Sequence, residues 1–341
     1  MVYTPLSPRE IDENLFPYSG NTSHQFRFLL HYALLAPSHY NAQPWRFKIN
    51  SCGIDVFSDP SRCSHVADPQ QREVIISCGA AIHTLEIAAH FFGLKTHVIY
   101  TINHQDNHLA RIEMTEGYDP SVHEIQLFHA IKKRQTNRRW FIDTAIPGSL
   151  KEECMRAAKK LDVATTFTND EVIRETFGRM TAQAVRTQHA HAWHRQEFSS
   201  WLRSKFTLKH DGMNHFGFFS INLPSPLIKL LLRITSLGRE TGRFNQAKLT
   251  TGSPMLMAIS THEDNQHGWL NTGRTLMNTL LNFTRNGLSA SFMNQAIQNP
   301  HMRNQVSTLF GGHEYPQLVL RIGIAPQVTW TARRNLDDTL L

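Results

Sequence analysis

The chain has 341 residues, 40% of them apolar and 18% charged. That balance excludes a disordered polymer and leaves room for two domains with a sizeable core. Thirty-five basic residues against 28 acidic ones give a net charge of +7 with histidine neutral, a mild excess that suits either a phosphate-bearing ligand or a plain solvated surface.

In chain order, Thr22 followed by Gln25 reads as a capping box that opens a helix through about Leu35, ended by Pro37. Residues 45–49 and 54–58 flank Asn50-Ser51-Cys52-Gly53 and read as a β-hairpin. Residues 72–92 form a long helix, apolar on nearly every face and therefore buried, with Gly93 just past its end. Residues 96–101 and 109–114 alternate as strands. Ser149 with Glu152 is a second capping box, opening a helix to about Leu161; further helices are expected over 171–186 and 194–205. Residues 254–260 read as a strand, 268–286 as a second long helix and 318–324 as a strand.

Gly79 and Gly93–Leu94 are spaced like Gly273 and Gly287–Leu288, and the elements around them follow in the same order. The expectation is an internal duplication, with a first half at 1–122 and a second at 123–341. Residues 205–250, with Leu-Pro-Ser-Pro at 223–226, have no counterpart in the first half and read as an insertion. A stretch of this length is a lid, added core or an oligomer contact.

Cys52, Cys63, Cys78 and Cys154 are irregularly spaced with no CxxC pair, so reduced thiols are expected rather than disulfides or zinc. The N-terminus has no apolar signal core. The longest apolar stretch, 227–237, is broken by Lys229 and Arg233 and is too short to cross a bilayer. A cytoplasmic protein without a membrane partner is expected.

Neither GxGxxG nor GxxxxGK[ST] occurs, so a nucleotide phosphate would need side-chain cations. Arg134, Thr136 and Arg138 supply them: in extended chain alternate residues point one way, and two guanidinium forks with a hydroxyl suit a phosphate. With Lys132, Lys133 and Arg139 beside them the same run also reads as a basic surface or a nucleic-acid patch, although no aromatic stacking series accompanies it. Residues 36–47, APSHYNAQPWRF, place Ser38, Asn41 and Gln43 after a helix end and close with Pro44 and Trp45. On its own this is a polar turn before a strand. His189, His191 and His194 do not share a helix face and have no acidic or thiol partner at ligand spacing, so a metal is not expected. No nucleophile elbow, HExxH or Ser/His/Asp set is present.

Residues 36–47 and Arg134–Phe141 together resemble the nitroreductase superfamily, and most closely its Acg-like FMN-binding branch. In an ordinary nitroreductase the arginine segment precedes the Gln-Pro-Trp segment; here the order is inverted. The resemblance implies an α+β nitroreductase-like fold with two pseudo-symmetric halves in one chain, each a mixed sheet flanked by helices. The long helices would pack at a pseudo-dimer interface, in a monomer or a homodimer. It implies one FMN per chain, with Ser38, Asn41, Gln43, Pro44 and Trp45 at the ring and Arg134, Thr136 and Arg138 at the phosphate. Ser289, Ala290 and Ser291 would run past the flavin, and Arg333 or Arg334 would reach back to it. The family's Pro-x-Glu-Gly turn is replaced here by Phe292-Met293-Asn294-Gln295, which alters the contact to flavin N5. The implied activity is transfer of electrons from NAD(P)H through flavin to a nitro, quinone or similar small-molecule acceptor, with no side-chain acid or base required. A flavin-sequestering protein with little turnover is the rival reading.

Overall fold

The computed structural model describes residues 9–103, 106–204, 207–214, 225–312 and 314–341. The first half runs α1 (Thr22–Ala33), β1 (Trp45–Ile49), β2 (Gly53–Ser58), α2 (Arg72–Phe91), β3 (Leu94–Asn103) and β4 (His108–Glu116). Then α3 (Val122–Ile131) leads to α4 (Gly148–Lys159), β5 (Val163–Thr168), α5 (Glu171–Ala190), α6 (Ala192–Ser200), β6 (Leu202–Arg203) and β7 (Met213–Asn214). The chain continues through α7 (Ser225–Ile234), α8 (Gly238–Thr250), β8 (Met255–Thr261), α9 (Gln266–Arg285), β9 (Ser289–Phe292), α10 (Gln295–Gln298), α11 (Pro300–Leu309) and β10 (Tyr315–Gly323).

Both halves build the same sheet. The orders are β1-β2-β4-β3 and β5-β8-β10-β9, that is first, second, fourth, third in chain order among the four strands of each sheet; β6 and β7 pair separately. Every strand pair in them is antiparallel. Each sheet becomes mixed only through a single parallel bridge at one edge: Leu340 beside Phe47 on β1, and Thr136 beside Ala290 on β9. The first of these carries the C-terminal tail of the second half onto the sheet of the first.

The helices α2 and α9 pack between the halves. They cross at Gly79 and Gly273, where a Cβ on Gly79 would overlap the Leu270 carbonyl and one on Gly273 the Ile76 carbonyl. Glycine is required there by backbone approach. The differences 273 − 79 and 287 − 93 are both 194, so the repeat read from spacing is a pair of helices crossing at equivalent glycines. A continuous core runs through Phe26, Trp45 and Ile82 of the first half to Met277 and Leu320 of the second. Burying each such side chain contributes roughly 1.5–3 kcal/mol. Helix α2 is, among the described residues, long and apolar enough to cross a membrane, yet most of it is covered by the rest of the protein.

Local chemistry departs from the expected caps. Asn21, not Thr22, caps α1: its side chain accepts from Ser23 N at 2.8 Å, and Gln25 turns instead to the carbonyls of Pro17 and Tyr18. Asparagine is the better cap, which moves the start by one residue. Helix α4 begins at Gly148 after Pro147, so Ser149 already lies inside it and caps nothing. A full capping box occurs at Ser121 and Glu124 on α3. Of the 205–250 insertion, residues 205, 206 and 215–224 lie outside the described residues, including the first Leu-Pro of the 223–226 motif. Helix α8 is a packed wall: Gly242 lies against the Ala182 carbonyl of α5, and Gly238 against Arg186 and His189.

Candidate cofactor site

Between α1 and β1 the chain makes a strained turn. Tyr40 (φ 50°), Asn41 (φ 56°) and Gln43 (φ 53°) are half of the six non-glycine residues with positive φ among those described. Such conformations cost on the order of 1–3 kcal/mol each and persist only where surroundings impose them. Here the surroundings are hydrogen bonds. Ser38 Oγ accepts from Gln43 N at 3.0 Å. Asn41 Nδ2 donates to the Gly212 and Ala332 carbonyls, both at 3.1 Å, and its Oδ1 accepts from Arg333 Nη1 at 2.8 Å. Gln43 Nε2 donates to the His210 carbonyl at 2.8 Å and its Oε1 accepts from Arg334 N at 2.8 Å. Asn41 and Gln43 thus clamp three distant segments together, and their amides are spent on the protein rather than offered to a ring. Pro44 uses its carbonyl on Asp59 N at 2.9 Å. Trp45 opens β1 as expected but is fully buried in the core. Arg334 Nη1 holds the Gln43 carbonyl at 3.1 Å, which makes it a tether for the tail.

The arginine run is extended beside β9, with Thr136 bridged to Ala290 and Asn137 N donating to Ala290 O at 3.0 Å. It does not bring its arginines to one point, as the alternation suggested. Arg134 is buried with Nη2 at 3.4 Å from the Leu35 carbonyl, while its Nε and Nη1 make no hydrogen bond. Arg333, from the tail, leans on the same carbonyl at 3.3 Å and on Ala36 O at 3.3 Å; its Nε has no partner. Arg9, whose Nη1 donates to the Lys132 carbonyl at 2.7 Å, lies close enough to act on both. Among the described residues no carboxylate pairs with Arg134 or Arg333. Burial, then Arg9, pushes Arg134 down to about 9. Burial, then Arg9 and Arg134, pushes Arg333 well below its ordinary value. An arginine keeps its proton, so these displacements express like charges taken out of water without an anion between them.

The next residues, Pro37 and Ser38, enter a cavity of about 180 Å³. Its floor is Ile76 and Ser77 of α2 with Leu276 of α9, and Ser291 and Phe292 of β9 form one wall. Of the predicted β9 residues only Ser291 lines it; Ser289 and Ala290 serve the sheet. Over it lie His189 of α5, His194 and Phe198 of α6, and Phe244 and Lys248 of α8. Arg138 lines the cavity, joined by two cations that sequence reasoning missed. Lys248 donates to the Arg138 carbonyl and sits 4.2 Å from the Phe244 ring. Burial, then Arg321 and Arg138, pushes it down to about 8. Arg321 holds the carbonyls of Arg139 at 2.6 Å and Gly252 at 3.2 Å. A lone charge inside the wholly buried Leu-Val-Leu-Arg-Ile run of β10 was the signal for Arg321; nothing in the sequence marked Lys248.

At the other end of the cavity His39 Nδ1 pairs with Glu73 at the start of α2. Glu73 also receives Gln298 Nε2 at 3.1 Å and Arg72 Nη2 at 3.3 Å. Burial raises the Glu73 carboxyl, but His39 and Arg72 outweigh it and hold it at about 2. Of the histidine cluster, the His189 and His194 rings lie 5.9 Å apart at the cavity, while His191 is exposed at the break between α5 and α6.

No family model matches this chain. Proteins of Mycobacterium tuberculosis (strain ATCC 25618 / H37Rv) do. "Putative NAD(P)H nitroreductase Rv3131" is 26% identical over 322 residues, covering 92% of this chain and 90% of its own. "Uncharacterized protein Rv3127" is 27% identical over 325 residues, with 90% of each covered. "Putative NAD(P)H nitroreductase acg" is 24% identical over 329 residues, covering 90% of this chain and 92% of that one. The chain is thus similar over about nine-tenths of its length to proteins named "Putative NAD(P)H nitroreductase", acg among them. Among solved structures, the FMN and NADPH-dependent nitroreductase NfnB from sphigopyxis sp. strain HMH overlays 62% of this chain and 96% of its own, at 16% identity and a TM-score of 0.39.

Proposed function

We propose that the protein is an FMN-dependent NAD(P)H oxidoreductase of nitroreductase type, holding one flavin mononucleotide per chain. The reading rests above all on Arg134 and Arg333: buried guanidiniums with unsatisfied N–H groups and no paired carboxylate among the described residues, meeting at the Leu35 carbonyl two residues before Pro37 enters the cavity. A phosphate monoester is the anion that fits two such forks. Thr136 is proposed at the same end. The ring would lie between Ser38 and Ser291, over Ile76 and Leu276. The names of the mycobacterial relatives support the nicotinamide donor.

When bound, the flavin supplies hydride transfer from NAD(P)H to a nitro, quinone or similar small-molecule acceptor. The protein's part is to orient and to exclude water. Arg138, Lys248 and Arg321 set positive charge at one side of the cavity, which favours an electron-rich, anionic reduced ring. Asn41 and Gln43 keep the turn, the 210–212 segment and the tail in register. Helices α6 and α8 cover the site, and the 205–250 insertion is proposed as its lid. The halves are proposed to divide at 122/123. The four free thiols suit a reducing, cytoplasmic compartment.

The test is the mass and visible spectrum of the purified protein. One FMN per chain is expected; two, or none after incubation with excess FMN, overturns the reading. The cover from α8 also favours a sequestering protein. Stopped-flow mixing with NADH and NADPH separates the two: rapid bleaching of the flavin band marks an enzyme, and a band stable for minutes marks storage.

A further inference from the structure

His39 occupies a singular place in the cavity. The residue is held from two sides: its backbone N–H donates to Ser77 Oγ at 3.3 Å, and the Tyr40 ring packs on the imidazole with centroids 3.8 Å apart. Nδ1 is spent on Glu73, itself fixed by Arg72 and Gln298. Nε2, on the opposite edge of the ring, is buried and has no hydrogen-bond partner; His39 lines the cavity through the rest of its ring, so a ligand reaches Nε2 only by displacing a neighbour. A buried nitrogen without a partner is costly, and the sequence after His39 spends backbone strain to keep it there.

We propose that His39, oriented by Glu73, is the proton donor to the electron acceptor, and that the acceptor is accordingly one whose reduction consumes a proton at oxygen, such as a quinone. This rests on the flavin reading above. The balance closes: a quinone takes one hydride from the reduced flavin and one proton from His39 Nε2, and leaves as hydroquinone. Both C=O π bonds are lost as the ring becomes aromatic: the hydride would become the hydrogen of one O–H and the His39 proton that of the other. The Nε2–H bond breaks, and neutral His39 recovers its proton from water when the product departs. Glu73 stays ionised throughout and is a positioning residue.

The charges facing the imidazole support this. Burial alone lowers its pKa, but Glu73 on α2, Asp68 before α2 and Glu197 on α6 reverse the sign and raise it. His194 of α6 also faces it and is itself pushed down to about 4 by burial, then by His189, His39 and His191, so it enters the neutral range without charge. Tyr40 stays a phenol, its pKa raised by burial, Glu73 and Glu197. Asp68 is itself pushed up to about 6 by burial, then Glu73, and Lys248 in the same lining is brought to about 8. Asp68 is spent on the Glu73 and Val74 N–H groups and Lys248 on the Arg138 carbonyl, which leaves His39 as the one of the three with an unpartnered nitrogen.

The experiment uses the full chain, with FMN uptake measured first and two readouts after it. Nitrogen NMR of labelled histidine, on protein without acceptor, is expected to show His39 protonated on both nitrogens at pH 7, and to lose Nε2 protonation in Glu73→Gln. Stopped-flow reoxidation by 1,4-benzoquinone is compared with flavin reduction by NADPH in the same preparation. In His39→Gln the ratio of reoxidation to reduction rate is expected to fall roughly 100-fold, within the range of general-acid effects, and to lose its decline toward high pH. An unchanged ratio, or a His39 neutral at pH 7, overturns the proton-donor role while leaving the flavin reading intact. A chain that takes up no FMN overturns both.

Discussion

The two ends of the α2–α9 pair treat a buried arginine in opposite ways. On one side, Arg134 and Arg333 meet at the Leu35 carbonyl, two residues before the Pro37 that lines the cavity, with no carboxylate paired to either among the described residues. On the other side, one residue past the crossing glycine Gly273, Arg274 makes a bidentate pair with Glu86 at 2.8 and 3.1 Å and donates to Tyr100 at 2.6 Å. The ends are related by the 194-residue offset. Glu73, which lines the cavity, maps onto His267; Asn294, which also lines it, maps onto Tyr100, whose ring fills that place against His267 at 4.7 Å. One end keeps its charge deficit open, and the other closes it with side chains of the chain itself. A duplicated fold therefore need not carry a duplicated site: one aromatic residue and one internal ion pair are enough to fill the second.

The largest effect is expected from Arg134→Met combined with Arg333→Met. Losing two charge-assisted contacts of roughly 1.5–3 kcal/mol each should weaken FMN binding about 10³-fold or more. The same change should raise the urea midpoint of the flavin-free protein, because buried charges without partners are removed. Flavin titration and urea unfolding read the two. A flavin-free protein destabilised by the double change would mean that the arginines are structural cations, and the contrast between the ends would vanish.

The opposite is expected of Arg274→Met. It strands Glu86, and losing one partner of such a pair costs roughly 3 kcal/mol, visible in urea unfolding, with FMN affinity kept. Glu86 also sets a pH dependence. Burial raises its carboxyl, but Arg274 and His83 outweigh it and hold it at about 2. A depressed carboxylate stabilises the fold above its ordinary value, and that contribution is lost as pH falls toward 2. Wild type should therefore lose stability through that window while Glu86→Gln loses less.

Gly79→Ala comes next. A methyl there meets the Leu270 carbonyl, so the helices must part. Overpacking of this kind costs roughly 1–3 kcal/mol, offset in part by about 1 kcal/mol of helix propensity. Urea unfolding should register the net loss. Because the crossing positions both ends, FMN affinity should fall too, which distinguishes this variant from Arg274→Met.

Much of this contrast was legible before any coordinates. The glycine spacing carried the repeat because close helix approach admits no other residue, and the inversion of the arginine and Gln-Pro-Trp segments announced that distant parts must meet. The hairpin at β1–β2 and the long helix α2 followed from pattern alone. What the sequence hid is pairing. Nothing local distinguishes Arg138, which lines the cavity, from Arg134, which joins the tail, because alternation fixes direction and not destination. Asn41 and Gln43 read as ligand groups, yet their partners lie at 210–212 and 332–334, beyond any local window. Residues 72–92 read only as a long buried helix; His39, arriving from the strained turn, makes the Arg72–Glu73 corner chemical.

The smallest effect separates the ends by titration. Arg274 is held charged by Glu86, its pKa raised despite burial, so the filled end should be indifferent to pH across the neutral and mildly basic range. Lys248 at the open end is different: burial and its cationic neighbours bring it to about 8. A lowered lysine value means that folding disfavours its proton, so the flavin-free protein should gain stability as pH rises from about 8 toward 10.5. An anionic ligand acts the other way and draws the proton back. FMN binding at pH 8.5 should then be accompanied by proton uptake, seen as a binding enthalpy that differs between buffers of unlike ionisation heat. Affinity should weaken by no more than about tenfold per pH unit above that point, the limit for a single proton. In Lys248→Met both signals should disappear while Arg134 and Arg333 still hold the phosphate. If proton uptake persists in that variant, the titrating group lies elsewhere, and the open end owes its charge deficit to its arginines alone.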